Sequence, residues 1–201
     1  MKLVLATQNQ GKVREIGELL KDQNGIELLS LRSYPNAPDI VEDGKTYEEN
    51  AIKKASVLAE YTGHLTIADD SGLAVDALDG APGVHSARYA GENASDADRI
   101  VKLLDALQDV PDVRRSGRFI CAVAIAEPLD QAQVVRGVCE GRIIRTPRGT
   151  AGFGYDPIFV PMGYDKTFAE LGDEIKNQIS HRAKALDEAR KLLSQMNSMK
   201  F

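Results

Sequence analysis

Residues 2–20 read KLVLATQNQGKVREIGELL, and this stretch sets the architecture. Lys2 to Ala6 is an apolar run of strand character. Thr7-Gln8-Asn9-Gln10-Gly11-Lys12 turns polar, and Val13, Ile16, Gly17 and Leu20 then recur at i, i+3, i+4 and i+7, the period of a helix with one buried stripe. A strand that passes through a short turn into a helix is the repeating unit of an α/β protein. The alternation continues downstream. Ile26 to Leu31 is the next predicted strand, and Ser33 to Lys45, with its prolines and acids, is a loop. Thr46-Tyr47-Glu48-Glu49 reads as a capping box in which Glu49 reaches back to the threonine amide. The helix it opens runs to Thr62, with Tyr47, Ala51, Ala55, Leu58 and Ala59 on the inner face.

Leu65 to Ala68 predicts a strand ending at Asp69-Asp70-Ser71-Gly72, with extended structure resuming from Leu73 to Leu78 and a turn at Gly80-Ala81-Pro82-Gly83. Ser95 caps a helix over Asp96 to Leu107. Arg118 to Ala126 and Gln133 to Gly141 read as paired antiparallel strands, and a glycine-rich loop over Gly149 to Gly154 leads through Tyr155-Asp156-Pro157 to a strand at Ile158 to Val160. Ser180 caps a last helix to Met196. Four helices interleaved with strands, without a repeat or a long linker, predict a single α/β domain over residues 1–201.

Composition narrows the function. Of 201 residues, 43% are hydrophobic and 27% charged, the balance of an ordinary globular protein. The longest strictly apolar run, Cys121 to Ala126, is far short of the roughly 20 residues that cross a bilayer. The apolar start is too short for a signal peptide, so a cytoplasmic location is expected. With 25 Lys+Arg against 30 Asp+Glu the formal net charge is −5, which argues against nucleic acid and anionic membrane as partners. An anionic ligand must then be held by a local pocket. Cys121 and Cys139 lie in predicted strands without metal-ligand spacing, as expected of two buried, reduced thiols.

Candidate chemistry gathers at five places. Thr7 to Lys12 joins a strand to a helix, where unpaired amides, the positive dipole end, Gly11 and the Lys12 charge suit phosphate. It is not a Walker A loop, since Ala6 stands where the first glycine would be and Val13 where the hydroxyl residue would be. The plain alternative is that Thr7 or Asn9 caps the helix and Lys12 is solvated. Asn50 and Lys54, four apart, share one helix face. Asp69 and Asp70 project to opposite sides while their strand lasts, so at most one of them points at a metal ion or a water unless the turn re-aims the other; the plain alternative is an Asx turn capping Gly72. Asp70-Ser71-Gly72 also matches the triplet of aspartic proteases, which are nearly all β, unlike this chain. Phe153, Gly154, Tyr155 and Asp156 set aromatics among close-approaching backbone, which suits a flat ligand or, equally, a tight turn with a packed ring. Lys176, Ser180, His181 and Arg182 form a basic cluster read at the start of the last helix, where positive charge opposes the dipole unless a ligand answers it.

In order, Thr7-Gln8-Asn9-x-x-Lys12, Glu49-Asn50-Ala51, Ala68-Asp69-Asp70-Ser71-Gly72-Leu73, Gly80-Ala81-Pro82-Gly83-Val84, Ser86-Ala87-Arg88-Tyr89-Ala90-Gly91, Phe153-Gly154-Tyr155-Asp156-Pro157 and Ser180-His181-Arg182 resemble the inosine triphosphate pyrophosphatase family over essentially the whole chain. The resemblance implies an elongated mixed β-sheet with flanking helices, two lobes around a nucleotide-binding cleft, and a homodimer. It implies Mg²⁺-dependent cleavage of ITP, dITP or XTP between the α and β phosphates, with Mn²⁺ as a possible substitute. Asp70 would be general base and metal ligand. Thr7, Gln8, Asn9, Gln10, Gly11, Lys12, Lys54 and Ser71 would hold the triphosphate. Phe153, Gly154, Tyr155 and Asp156 would cradle base and ribose, and Lys176, His181 and Arg182 would read the 6-keto edge. Relatives often carry paired acids just ahead of the position of Asp43-Gly44; here the pair reads Val41-Glu42, so that Glu42 is the second metal candidate or Asp70 holds the ion largely alone. Two rivals stand beside this reading: a non-hydrolysing nucleotide sensor, and a pyrophosphatase of similar fold acting on other nucleotides.

Overall fold

The computed structural model describes residues 2–21 and 25–198. β1 (Lys2–Leu5) leads into α1 (Gln10–Leu20) and β2 (Glu27–Ser30), followed by α2 (Tyr47–Thr62) and β3 (Leu65–Val75). β1 pairs in parallel with β2, Lys2 opposite Glu27, and with β3, Leu3 opposite Leu65. Parallel neighbours on both sides require crossovers, which α1 and α2 supply, and the strand between them is closed to water. Leu3, Val4 and Leu5 are accordingly buried.

α3 (Asp96–Ala106), β4 (Ser116–Ala126), β5 (Gln133–Ile143), β6 (Phe159–Pro161), α4 (Phe168–Ile179) and α5 (His181–Ser198) complete the chain. The six strands lie in the order β2-β1-β3-β4-β5-β6. β5 and β6 are antiparallel, so the sheet is mixed, as expected, and helices flank it. β4 and β5 are sheet neighbours, each two residues longer at one end than the sequence pattern predicts. No helix among the described residues is long and apolar enough to cross a membrane.

Three sequence expectations need correction. β3 does not stop at Ala68 but runs unbroken through Asp69-Asp70-Ser71-Gly72, so the Asx turn is absent. Glycine is required there, because a Cβ on Gly72 would stand 2.3 Å from the Gly83 carbonyl oxygen. Second, Phe168–Ile179 is a fifth helix, so that Lys176 sits in its last turn and not at the start of the helix that follows. Gly172, at φ 75° and ψ 176°, interrupts it and hides its periodicity. Third, Thr46 does accept from the Glu49 amide, but the Glu49 carboxylate returns to the Lys45 amide, one residue earlier than the capping box predicts.

The chain falls into two compact units, Met1–Asp70 with Cys121–Gly137 and Arg182–Phe201, and Ser71–Ile120 with Val138–His181. The first is built on Leu3, Leu5, Ile16, Ile67, Val123 and Leu186. The second is aromatic, with Phe119 meeting Phe159 edge-on at 4.6 Å and Phe159 stacked on Phe168 at 5.4 Å. Its Arg115 is buried, yet its guanidinium donates to the carbonyls of Leu107 (2.8 Å) and Ile143 (3.0 Å). Leu107 ends α3, so the charge also answers the negative end of that helix.

Thr167 caps α4 through the Glu170 amide, receives the returning Glu170 carboxylate on its own amide, and donates its hydroxyl proton to the Arg148 carbonyl. Thr167→Ala removes both hydroxyl bonds and is expected to cost about 1–2 kcal/mol, measured as a lower denaturant midpoint with an unchanged slope.

Candidate active site

The predicted loop at the start of α1 is a capped helix terminus. The Asn9 side chain accepts from the Lys12 amide at 3.1 Å, and Thr7 Oγ1 accepts from the Asn9 amide at 3.2 Å. Lys12 is not solvated: its ammonium lies 3.0 Å from Asp69 Oδ2. Thr7, Gln8 and Gln10 line a cavity of about 440 Å³ together with Ser30, Arg32 and Tyr34, and Arg32 donates to the Gln10 side chain at 3.1 Å.

Because β3 stays extended, the two aspartates point to opposite faces. Asp69 is 1% exposed and takes Lys12 from α1 together with Nε and NH2 of Arg182 from α5, each at 3.3 Å. Burial pushes its acidity the other way, but Lys12, Arg182 and Lys54 outweigh burial and hold the carboxyl well below the usual carboxylate range. Arg182 is itself buried, and its NH1 donates to Glu15. Burial works against its charge, but Asp69 and Glu15 prevail and raise its proton affinity. Cys121 on β4 lies 4.0 Å from the same Asp69 oxygen, and burial, reinforced by that carboxylate, pushes its thiol up to about 12.

Asp70 is held differently. Asn50, fully buried on α2, donates to Asp70 Oδ2 at 2.9 Å while its own oxygen accepts from the Gly44 amide at 2.8 Å. A Cβ on Gly44 would meet that oxygen at 2.6 Å, which fixes glycine at this position. One turn on, Lys54 Nζ donates to Glu42 Oε1 at 2.6 Å and to the Asp69 carbonyl at 2.7 Å. Lys53 secures the same loop at Val41 and Asp43. Burial is the largest influence on Asp70 and raises its pKa, against the opposing pull of Lys54, Lys12 and Asn50. The Tyr47 hydroxyl, without a hydrogen-bond partner among the described residues, is pushed up to about 12 by burial and then by Asp70.

The first unit therefore brings together Lys12, Glu42, Lys54, Asp69, Asp70 and Arg182 of the predicted motifs. It adds Glu15, which the sequence pattern did not single out, and a role for Asn50, which the pattern named without one. Asn50 was legible as a neighbour of Lys54 on one helix face and within the Glu49-Asn50-Ala51 motif, and Glu15 gave no signal beyond being three residues after Lys12. Ser71 follows along β3, half-buried.

The other predicted residues belong to the second unit. Asp156 Oδ2 accepts from the Phe153 amide at 2.9 Å and from Lys176, whose ammonium lies 4.5 Å from the Phe153 ring centroid. Gly152 makes this possible, since a Cβ there would stand 2.1 Å from the same oxygen. Tyr155 is buried, Gly154 follows Phe153 at φ 62°, and His181 stacks on Phe119 at 4.7 Å.

Among the described residues no group of three or more His, Cys, Asp or Glu forms a cage that would bind a metal by itself. Asp70 and Glu42 do fit a hard divalent cation that takes one or two carboxylates and completes its shell with ligand phosphates. A capped helix terminus, two lysines and a braced carboxylate are groups that can receive a polyanion beside a carboxylate that can accept a proton.

Solved structures share this architecture. A HAM1 protein from Coxiella burnetii superposes with a TM-score of 0.88 at 46% identity, covering 97% of this chain and 99% of that one. The Staphylococcus aureus Ham1 protein gives 0.86 at 39%, covering 98% and 100%. A dITP/XTP pyrophosphatase from Desulforamulus reducens is 53% identical over 98% of this chain and 97% of its own length. Residues 3–192 match the Ham1 family, and the chain belongs to it.

Asp69→Ala strands Arg182 and Lys12 without their shared counter-charge and is expected to cost about 3–5 kcal/mol. Because the folded state depresses the Asp69 pKa, its contribution is complete above the unfolded value of about 4 and fades as pH falls below it. Acid titration of stability should therefore be shallower in Asp69→Asn than in the wild type, and equal slopes would contradict the assignment.

Proposed function

We infer that this chain hydrolyses non-standard purine nucleoside triphosphates, ITP, dITP and XTP, to the monophosphate and pyrophosphate. The observation that carries the reading is Asp70, a buried carboxylate braced by Asn50 within the field of Lys54 and Lys12. Curated relatives at about half identity, from Desulforamulus reducens and Geobacillus kaustophilus, are named dITP/XTP pyrophosphatase. We place the site in a single catalytic domain, in the cytoplasm and in a homodimer, as the family resemblance implies.

In this reading the triphosphate rests on Thr7, Gln8, Asn9, Gln10, Gly11, Lys12, Lys54 and Ser71. The α1 terminus offers amides and a positive dipole end, and the two ammonium groups answer charge on the phosphates. Both lysines are already oriented by carboxylates, so little reorganisation remains when the ligand arrives. Asp70 accepts the proton of the attacking water as the α–β anhydride bond breaks, and pyrophosphate leaves. Raised by burial, its proton affinity is closer to what a general base requires. Asp70 and Glu42 would hold Mg²⁺, or Mn²⁺ in its place, and the bound ion supplies charge neutralisation on the phosphates.

Phe153, Gly154, Tyr155 and Asp156 serve base and ribose, and Lys176, His181 and Arg182 the 6-keto edge. Arg182 is fixed on Glu15 and Asp69, and His181 on Phe119, so both are held in one orientation before binding. Donors set for a keto oxygen face another donor when adenine's amino group enters, a mismatch that can reach about 10⁴-fold.

Incubation with ITP, XTP, GTP and ATP, with and without Mg²⁺, tests the reaction directly. Pyrophosphate and IMP from ITP, faint turnover of ATP and dependence on the ion are expected. Phosphate and IDP would place the cut elsewhere, and nucleotide-induced stabilisation without product would favour a sensor. Asp70→Asn should fold normally and lose turnover; full activity in that variant would remove Asp70 from the mechanism.

A further inference from the structure

The segment Phe153 to Asp156, assigned above to base and ribose, is clamped from outside by groups with no part in the reaction so far. Tyr155 Oη donates to the Ser86 carbonyl at 3.0 Å. The Gly154 amide donates to Asp96 Oδ2 at 2.7 Å. The second Asp96 oxygen accepts from Arg99 NH2, and Arg99 NH1 donates to the carbonyls of Ala87 (2.7 Å) and Ala94 (2.8 Å). Two routes thus tie Gly154 and Tyr155 to Ser86 and Ala87. Ser86 is itself anchored, accepting from the Leu73 amide at 2.9 Å and donating to the Gly83 carbonyl at 2.6 Å.

Capping of α3 does not explain Asp96. Ser95 and Asp98 already form the reciprocal box at that terminus. Both Asp96 oxygens point instead to Gly154 and Arg99, and Gly154 is where a hold is most needed: at φ 62° and without a side chain, nothing of its own restricts it. The carboxylate-to-amide bond is charge-assisted, and Arg99 fixes the carboxylate that makes it.

We propose that Asp96, locked by Arg99, is a positioning residue that sets the Phe153–Asp156 segment in its nucleotide-binding conformation. The proposal rests on the assignment of that segment to the nucleobase. Its loss should weaken binding of the nucleoside part and leave the triphosphate chemistry intact.

The test compares Asp96→Ala, Asp96→Asn and Arg99→Met with the wild type in ITP hydrolysis, using inorganic tripolyphosphate as a competitive probe that lacks a base. For Asp96→Ala we expect KM for ITP to rise about tenfold with kcat within about twofold, the pattern of lost binding rather than lost chemistry. Inhibition by tripolyphosphate should be unchanged. Asp96→Asn keeps an acceptor for the Gly154 amide and should recover most of the loss, while Arg99→Met should fall between. An unchanged KM in Asp96→Ala, or an equal weakening of tripolyphosphate, overturns the proposal. If Asp96→Ala does not fold, Asp96→Asn and Arg99→Met are judged by the same two criteria. Wild-type protein that does not hydrolyse ITP defeats the functional reading and this inference with it, whereas active wild type with flat KM values defeats the clamp alone.

Discussion

A carboxylate with almost no contact with water keeps its charge only if cations follow it inside, and Asp69 imposes that condition on the first unit. Lys12 comes from α1 and Arg182 from α5, and Lys54 of α2 grips the carbonyl of the same residue. Three helices are thereby fixed against one position of β3. Arg182, brought in to satisfy Asp69, needs Glu15 in turn. Apolar packing could hold these helices to the sheet as firmly, but it would not fix their rotation and register so closely as forked, directional donors do.

Strand geometry then passes this order on to the neighbouring residue. Asp70 faces away from the Asp69 cluster, and its orientation depends on Asn50, which also holds the Gly44 amide. The loop carrying Glu42 is tied to α2 by side chains of Asn50, Lys53 and Lys54, so the second carboxylate is anchored to the helix that braces the first. An acidic chain thus carries concentrated positive charge in one place, each cation balanced locally before any ligand arrives. The negative net charge and a polyanionic substrate are compatible for that reason.

What the sequence disclosed follows from the range of the forces involved. Local periodicity was enough for α1, α2, α3 and α5, and motif order singled out Lys12, Lys54, Asp69, Asp70 and Arg182, which the first unit brings together. The turn expected at Asp69 to Gly72 failed because Asp and Gly are poor strand formers in isolation. Their tolerance there comes from Lys12, from Arg182 more than a hundred residues away, and from the close approach of the Gly83 carbonyl. α4 was hidden by a glycine break, although its Thr167 and Glu170 box stood in plain view. Glu15 escaped notice, and Asn50 was named without a role, for one reason: a buried polar residue on a helix is indistinguishable from a solvated one until its partner is known.

Cys121 bears on how this molecule meets oxidants. Sulfur chemistry proceeds through the thiolate, and a thiol held at about 12 beside a buried carboxylate is almost never in that form. Cys121 also presents no surface to water, so hydrogen peroxide and alkylating reagents meet a buried thiol at this position, although it lies in hydrogen-bonding range of the cluster's central anion. The charge arrangement that orders the helices also keeps the cluster's one sulfur chemically silent, leaving it to fill volume as a small hydrophobe would.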